Sequence, residues 1–329
     1  MPEIRTDPLT GHRVLISAER ANRPMATAAS SCDTSDAACP FCEGNEQETP
    51  GEVFAIRNPE STIDRPGWKV RVVPNKFPAV STVHELLALD LTTLCLPGIG
   101  AHEVIIETPR HVAGWTELSV AEIDDVLSAY QARLEYWRRE SNLKYAIVFK
   151  NLGYEAGASQ FHAHSQLLGL PIVPEQVAHE HRAAEKFWKQ SKRCPYCDQI
   201  AQEQAQRDRI VAESDEFVAF CPFASRLACQ IRVLPRQHAS RFGLLPAQPR
   251  RALAGFLQEL FIRLERVLVI PAYNFWLQTL PFSSLDANHF HWHIEILPRQ
   301  SNIAGFEWGT GYTINQIPPE YAAQRLRNI

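Results

Sequence analysis

The chain repeats itself, and that repetition constrains its fold more than any local pattern. "CPFC" at residues 39–42 returns as "CPYC" at 194–197. "EVIIETPRH", ending at His111, returns as "QIRVLPRQH", ending at His238. "YAIVFKN" from Tyr145 answers to "NFWLQT" from Asn274, and "HAHSQLLGLP" from His162 answers to "HFHWHIEILP" from His289. Four landmarks in one order at similar separations imply that whatever the first half builds, the second builds again.

Each half reads the same way. "KVRVVP" (69–74) and "HEVIIE" (102–107) alternate or run apolar like strands. Residues 119–140 form a helix: Ser119 and Glu122 make a capping box, and Val120, Ile123, Leu127, Tyr130, Leu134 and Trp137 fall on one stripe. Strands follow around 145–149 and 162–170. The second half offers "DEFVAFCP" and "CQIRVLP", a matching helix over 249–268, then "NFWLQT" and "HFHWHIEIL". Strand, strand, helix, strand, strand predicts an α+β fold: an antiparallel sheet with a packed helix, built twice. The expected domains are 1–173 and 174–329, with a helix around 174–193 bridging them. Residues 26–38, poor in large apolar groups, read as a loop or disordered insertion.

Composition narrows the class. At 45% hydrophobic and 21% charged residues with a net charge of -4, the chain reads as soluble and globular, without a basic surface for nucleic acid. No apolar run is long enough to span a bilayer, and "MPEIRTDPLTGHRVLIS" lacks the core of a signal peptide, so the expected compartment is the cytoplasm. Thiols stay reduced there, so the 8 cysteines need another explanation than disulfides. Cys32, Cys95, Cys221 and Cys229 are scattered and read as small buried hydrophobes.

The paired cysteines read as metal ligands. A Cys-x-x-Cys turn holds two thiolates together, and two imidazoles complete a tetrahedron around zinc. The first set is Cys39, Cys42, His111 and His162; the second is Cys194, Cys197, His238 and His291. A redox pair is the rival reading of "CPFC", but no βαβ pattern flanks it. The register of the second set is open. Counting back from the downstream proline pairs His291 with His164, whereas aligning the preceding phenylalanine pairs it with His162.

In an extended strand, alternate residues share a face, so "HAHSQ" places His162, His164 and Gln166 on one side. With His162 committed to zinc, His164 is a free imidazole and a competent nucleophile near neutral pH. Gln166 can donate a hydrogen bond to a phosphoryl oxygen as charge builds. "KNLGYEAGASQ" (150–160) supplies a glycine-bearing loop able to approach a phosphate. His12, His84, His102, His179 and His181 belong to no visible constellation.

These residues resemble the galactose-1-phosphate uridylyltransferase family, a branch of the histidine-triad superfamily. The resemblance runs from "DPLTGHRVLISAERANRP" through "CPFC", "VVPNKFPAV" and "FKNLGYEAGASQFHAHSQ" to "GFEWGTGYTIN". It implies a duplicated histidine-triad-like domain, the first copy carrying the nucleophile and the first zinc site. It also implies double displacement: His164 attacks the α-phosphorus of UDP-glucose, and the uridylyl-histidine passes its nucleotide to galactose 1-phosphate while Gln166 steadies the phosphoryl oxygens. On the same resemblance Arg20 and Arg23 meet phosphate, and Asn75, Lys76 and Phe77 lie around the nucleotide. Asn151, Gly157 and Ser159 form the phosphate loop, Glu307 contacts sugar hydroxyls, and the protein is a homodimer. Two departures bear on substrate. "HAHSQ" stands where the best-known members have "HPHGQ", and Thr313 stands where they place a sugar-binding glutamine. The "GFE-GTG" form also resembles an ADP-glucose:phosphate adenylyltransferase, which is the alternative activity; a zinc-stabilised binding module without catalysis is the alternative of a different class.

Overall fold

The computed structural model describes residues 2–17, 39–81, 98–140, 143–268, 271–284, 287–301 and 303–329. Arg20, Arg23, His84, Cys32, Cys95 and the insertion at 26–38 lie outside the described residues. Two short strands open the chain, β1 (Glu3–Thr6) and β2 (Arg13–Ile16). The first half then gives β3 (Phe54–Arg57), β4 (Trp68–Pro74), β5 (Ala101–Ile106), helix α1 (Val120–Glu140), β6 (Tyr145–Leu152) and β7 (His164–Leu170). Helices α2 (Glu175–Ser191) and α3 (Pro195–Gln206) connect to the second half. That half comprises β8 (Ile210–Glu213), β9 (Phe217–Phe220), β10 (Ile231–Pro235), α4 (Ala247–Val267), β11 (Tyr273–Gln278) and β12 (His293–Pro298). Helix α5 (Gly305–Thr310), strand β13 (Thr313–Asn315) and α6 (Pro319–Arg327) finish the chain.

The duplication is visible in the sheet. Ten strands run in the order β3-β4-β5-β7-β6-β11-β12-β10-β9-β8, which reads alike from either end, and every pair in it is antiparallel. The two expected sheets are therefore one. Strands β6 and β11 pair across the seam, Tyr273 opposite Leu152 and Leu277 opposite Val148. Their backbone groups thus satisfy each other rather than being left as open edges. A separate small sheet joins β1, β2 and β13, with β13 parallel to β2.

Helices α1 and α4 cover one face. The stripe read from the sequence is the buried one: Ile123, Leu127, Tyr130 and Leu134 are in the core, and Val120 and Trp137 pack against it. Each such side chain contributes roughly 1.5–3 kcal/mol of burial. The capping box forms as expected, with Ser119 N–H donating to Glu122 Oε2 at 2.8 Å and Glu122 N–H to Ser119 Oγ at 3.3 Å.

The opposite face differs between the halves. Over the second half, Ala184 of α2 and Tyr196 and Ile200 of α3 pack onto Val218, Phe220 and Leu234. Over the first half only Trp68, Val73, Val104 and Ile106 cluster, with Phe41 against them. Among the described residues, no helix covers this face of the first half as α2 and α3 cover the second.

Candidate active site and metal centres

That face holds a cavity of about 600 Å³ lined by His164, Gln166, Asn75, Lys76, Phe77, Ser159, Phe41 and neighbours. Strand β7 begins at His164, not at His162 as the alternation predicts. His162 sits in the bend before the strand, which frees it to turn toward the cysteines while His164 faces the cavity. The His164 ring is 7% exposed, and its Nδ1–H donates to the His162 carbonyl at 2.7 Å. Nε2 has no hydrogen-bond partner among the described residues and carries the lone pair of a neutral ring. Phe41 lies against the imidazole, ring centroids 5.3 Å apart. Burial, followed by the positive charge of Lys150, lowers the His164 pKa, so the neutral and nucleophilic form prevails.

The back of β7 rests on a buried ion pair. Lys150 Nζ lies 2.6 Å from Glu107 Oε2 and donates to the His164 carbonyl at 2.9 Å. Glu107 also accepts from Trp115 Nε1 at 2.9 Å, Tyr130 OH at 3.1 Å and Ser165 Oγ. The outward face of β7 thus carries the His164 ring, and its inward face is pinned to helix α1. The sequence reading did not identify this pair or Phe41.

The loop between β6 and β7 makes a 3-10 turn over Tyr154–Ala156. Gly157 follows at φ +84°, a conformation favoured by glycine. Asn274 of β11 donates to Asn151 Oδ1 and to the Ala156 carbonyl, both at 2.8 Å, so the second half anchors this loop. Ser159 reaches the cavity lining; Asn151 and Gly157 are not among the lining residues. Glu307 is not brought to the cavity. It lies in α5, its Oε2 accepting from Ala304 N–H at 3.0 Å.

Both cysteine–histidine sets assemble, and within each the ligand atoms lie within 4.8 Å of one another. In the first, Cys39 Sγ is 3.5 Å and Cys42 Sγ 3.6 Å from His162 Nδ1, and Cys42 Sγ is 3.3 Å from His111 Nδ1. A tetrahedral zinc with its usual S and N bond lengths has an S···N edge of about 3.6 Å, so the donor set fits. Desolvation pushes the His162 pKa down to about 4, keeping its ring neutral as a ligand must be. Its Nε2–H donates to the Thr108 carbonyl at 2.8 Å, which directs Nδ1 to the metal position.

In the second set the S···N separations are 3.5–3.9 Å: Cys197 to His238 at 3.5 Å, Cys194 to His291 at 3.9 Å. Hydrogen bonding from Cys197 pulls the Cys194 thiol down to about 2, and His238 is raised mainly by Cys194. Here the pair sits at the start of α3, Cys194 as its N-cap. His291 Nε2–H donates to the Gln237 carbonyl at 3.0 Å, as His162 does to Thr108. The open register is thereby resolved: His291 answers to His162, and His293 to His164.

His293 repeats the His164 geometry, its Nδ1–H donating to the His291 carbonyl at 3.1 Å. Yet its position is closed. Tyr196 lies over it at 5.4 Å between centroids, Glu180 Oε1 is 3.5 Å from its Nε2, and it is 1% exposed. Glu295, in the place of Gln166, is held by Arg232 at 2.5 Å and Gln230 at 2.8 Å. Among the described residues, His164 lines an open cavity while His293 is enclosed. Two histidines read as ordinary also have specific partners: His181 Nε2 lies 3.2 Å from His289 Nε2, and His102 Nε2 lies 2.9 Å from Gln166 Oε1.

Comparison with known proteins agrees with this architecture. A family model described as galactose-1-phosphate uridyl transferase, N-terminal domain, matches residues 1–174, and a domain of unknown function matches 100–328. An ADP-glucose phosphorylase from Arabidopsis thaliana is 32% identical over 336 residues, covering 100% of this chain and 93% of its own. A galactose-1-phosphate uridylyltransferase from Thermotoga maritima is 26% identical over 342 residues, covering 99% and 98%. The crystal structure of an Arabidopsis thaliana ADP-glucose phosphorylase with bound ADP-glucose superposes with a TM-score of 0.85 at 33% identity, covering 100% of this chain and 99% of that one. The chain belongs to the galactose-1-phosphate uridylyltransferase family and is a nucleotidyltransferase of that family.

Proposed function

We propose that the protein transfers a nucleotidyl group from a nucleoside diphosphate sugar by double displacement through His164. The carrying observation is the His164 ring: Nδ1–H tied to a carbonyl, Nε2 unpartnered among the described residues, facing a cavity large enough for a nucleotide. The Nε2 lone pair attacks the α-phosphorus, and the bond from that phosphorus to the bridging oxygen breaks, releasing a sugar 1-phosphate. The ring keeps its Nδ1 proton, shared with the His162 carbonyl, so the nucleotidylated imidazole is a cation and a good leaving group. A phosphate oxygen of the acceptor then attacks the same phosphorus and restores neutral His164. Gln166 donates to the non-bridging oxygens, and Lys76 at the cavity rim faces their charge. Arg20 and Arg23 belong to the same phosphate-binding set in this reading.

The donor sets fit zinc, with Cys39, Cys42, His111 and His162 holding one ion and Cys194, Cys197, His238 and His291 the other. Four protein ligands would close the coordination sphere of each ion, which would supply rigidity rather than an open catalytic position. What it fixes at the first site is the peptide at His162 that holds the nucleophile.

Adenylyl transfer from ADP-glucose to phosphate is the favoured version, supported by the full-length similarity to the Arabidopsis thaliana ADP-glucose phosphorylase. Uridylyl transfer from UDP-glucose to galactose 1-phosphate is the second reading, supported by the family-model match over residues 1–174. Incubation with each nucleotide sugar, labelled on the α-phosphate, distinguishes them. Covalent label from ADP-glucose alone, absent in H164G with zinc content retained, is the expected result. Label from UDP-glucose alone establishes the second version, and label persisting in H164G refutes the nucleophile. Glu307, remote from its own chain's cavity, acts in this reading at the cavity of a second copy, and light scattering should give a dimer.

A further inference from the structure

Gln166 helps a charged phosphoryl group only with its amide nitrogen, because its amide oxygen repels that charge. A carboxamide can present either end, so something must choose. The structure shows the choice being made from behind. Gln166 Oε1 lies 2.9 Å from His102 Nε2 and 3.5 Å from Asn75 Nδ2. Ala79 N–H donates to His102 Nδ1 at 3.0 Å. A ring nitrogen that accepts carries no hydrogen, so the neutral ring carries its hydrogen on Nε2 and donates to Gln166 Oε1. Phe77 N–H donates to Asn75 Oδ1 at 2.9 Å, which turns Asn75 Nδ2 toward the same glutamine oxygen. His102 is the near donor to Oε1; Asn75 Nδ2, 3.5 Å from that oxygen and 3.2 Å from His102 Nε2, stands at the edge of reach, and Gln166 Nε2 has no partner among the described residues. Register explains the reach: Val104 of β5 pairs with Gln166 of β7 and His102 with Leu168, so His102 is the diagonal neighbour of Gln166 on the cavity face.

We propose that His102 is a positioning residue for nucleotidyl transfer, fixing the Gln166 amide so that its N–H groups meet the phosphoryl oxygens. The inference rests on His164 as nucleophile and Gln166 as donor. His102 also holds Ala79 and with it the loop bearing Lys76 and Phe77, so a single replacement mixes two effects and the test must separate them.

The experiment measures single-turnover labelling of the full-length protein by α-phosphate-labelled ADP-glucose and UDP-glucose. It compares H102L, H102Q, Q166A and H102L/Q166A with the wild type. Glutamine at 102 keeps a donor near the Nε2 position; leucine removes it. H102L should slow labelling about 10- to 100-fold at saturating nucleotide sugar, with half-saturation changed by less than about 3-fold, and H102Q should recover most of the rate. In the Q166A background H102L should cost less than about 2-fold, because a residue acting only through Gln166 has nothing left to orient. Unchanged labelling in H102L overturns the proposal, as does an equal loss with and without Gln166, which would assign the effect to the loop. Wild-type protein labelled by neither nucleotide sugar overturns the function and this inference with it.

Discussion

The buried pair beneath His164 invites a quantitative test. Replacing Lys150 by methionine removes a cation whose side chain is 1% exposed and leaves Glu107, at 0%, charged in the core. Breaking a buried pair from one side costs about 3–5 kcal/mol. Glu107 keeps Trp115, Tyr130 and Ser165 as neutral donors, which stabilise the stranded carboxylate and place the cost near the lower end, ~3 kcal/mol. That is roughly a 150-fold change in the unfolding equilibrium. The double variant K150M/E107Q has no buried charge at this point and should recover at least about 2 kcal/mol of the loss. Urea unfolding followed by tryptophan fluorescence gives the three numbers. A K150M cost below about 1 kcal/mol, or a double variant as unstable as the sum of the singles, would refute the account of the pair as a coupled buried unit.

Three further outcomes follow. C39S should lower bound zinc from two ions per chain to one, read by mass spectrometry of the metal, with Cys194 and Cys197 retaining theirs. For acid stability the sign comes from His162: its folded pKa, about 4, is depressed below the unfolded value near 6.5, so the unfolded chain binds the extra proton between those values. The metal-free protein should therefore hold its full His162 contribution above about pH 6.5 and lose stability steadily toward pH 4 in urea titrations; a flat profile would contradict the burial of a neutral ring. Finally, His164 is lowered by burial and then by Lys150, so the acid limb of His164 labelling should lie below the ordinary imidazole range and move upward in K150M.

Much of the fold was legible because its signals are local or repeated. The stripe along α1, its cap at Ser119 and the two Cys-x-x-Cys turns each announce themselves within a few residues. The doubled landmarks predicted the doubled sheet and both metal sets. What escaped depends on register and on packing between distant segments. Nothing near "GAHEVII" reveals that His102 will stand diagonal to Gln166, since only the β5–β7 pairing brings them together. Lys150 meets Glu107 across two strands for the same reason. The fusion of two sheets into one was equally silent, because β6 and β11 look like ordinary alternating strands. The second-half register is settled only by packing: His291 meets the cysteines and the Gln237 carbonyl as His162 meets its own cysteines and Thr108.

Asn274 gives the silent half a continuing duty. It belongs to the copy whose own histidine is walled in, yet its amide grips both the Asn151 side chain and the Ala156 carbonyl of the neighbouring copy. The second half thus serves as a foundation for the loop of the first. Excising it would strip β6 of its pairing with β11 and leave the β6–β7 loop without its anchor. The cavity at His164 is therefore kept in shape by residues from both halves of the chain.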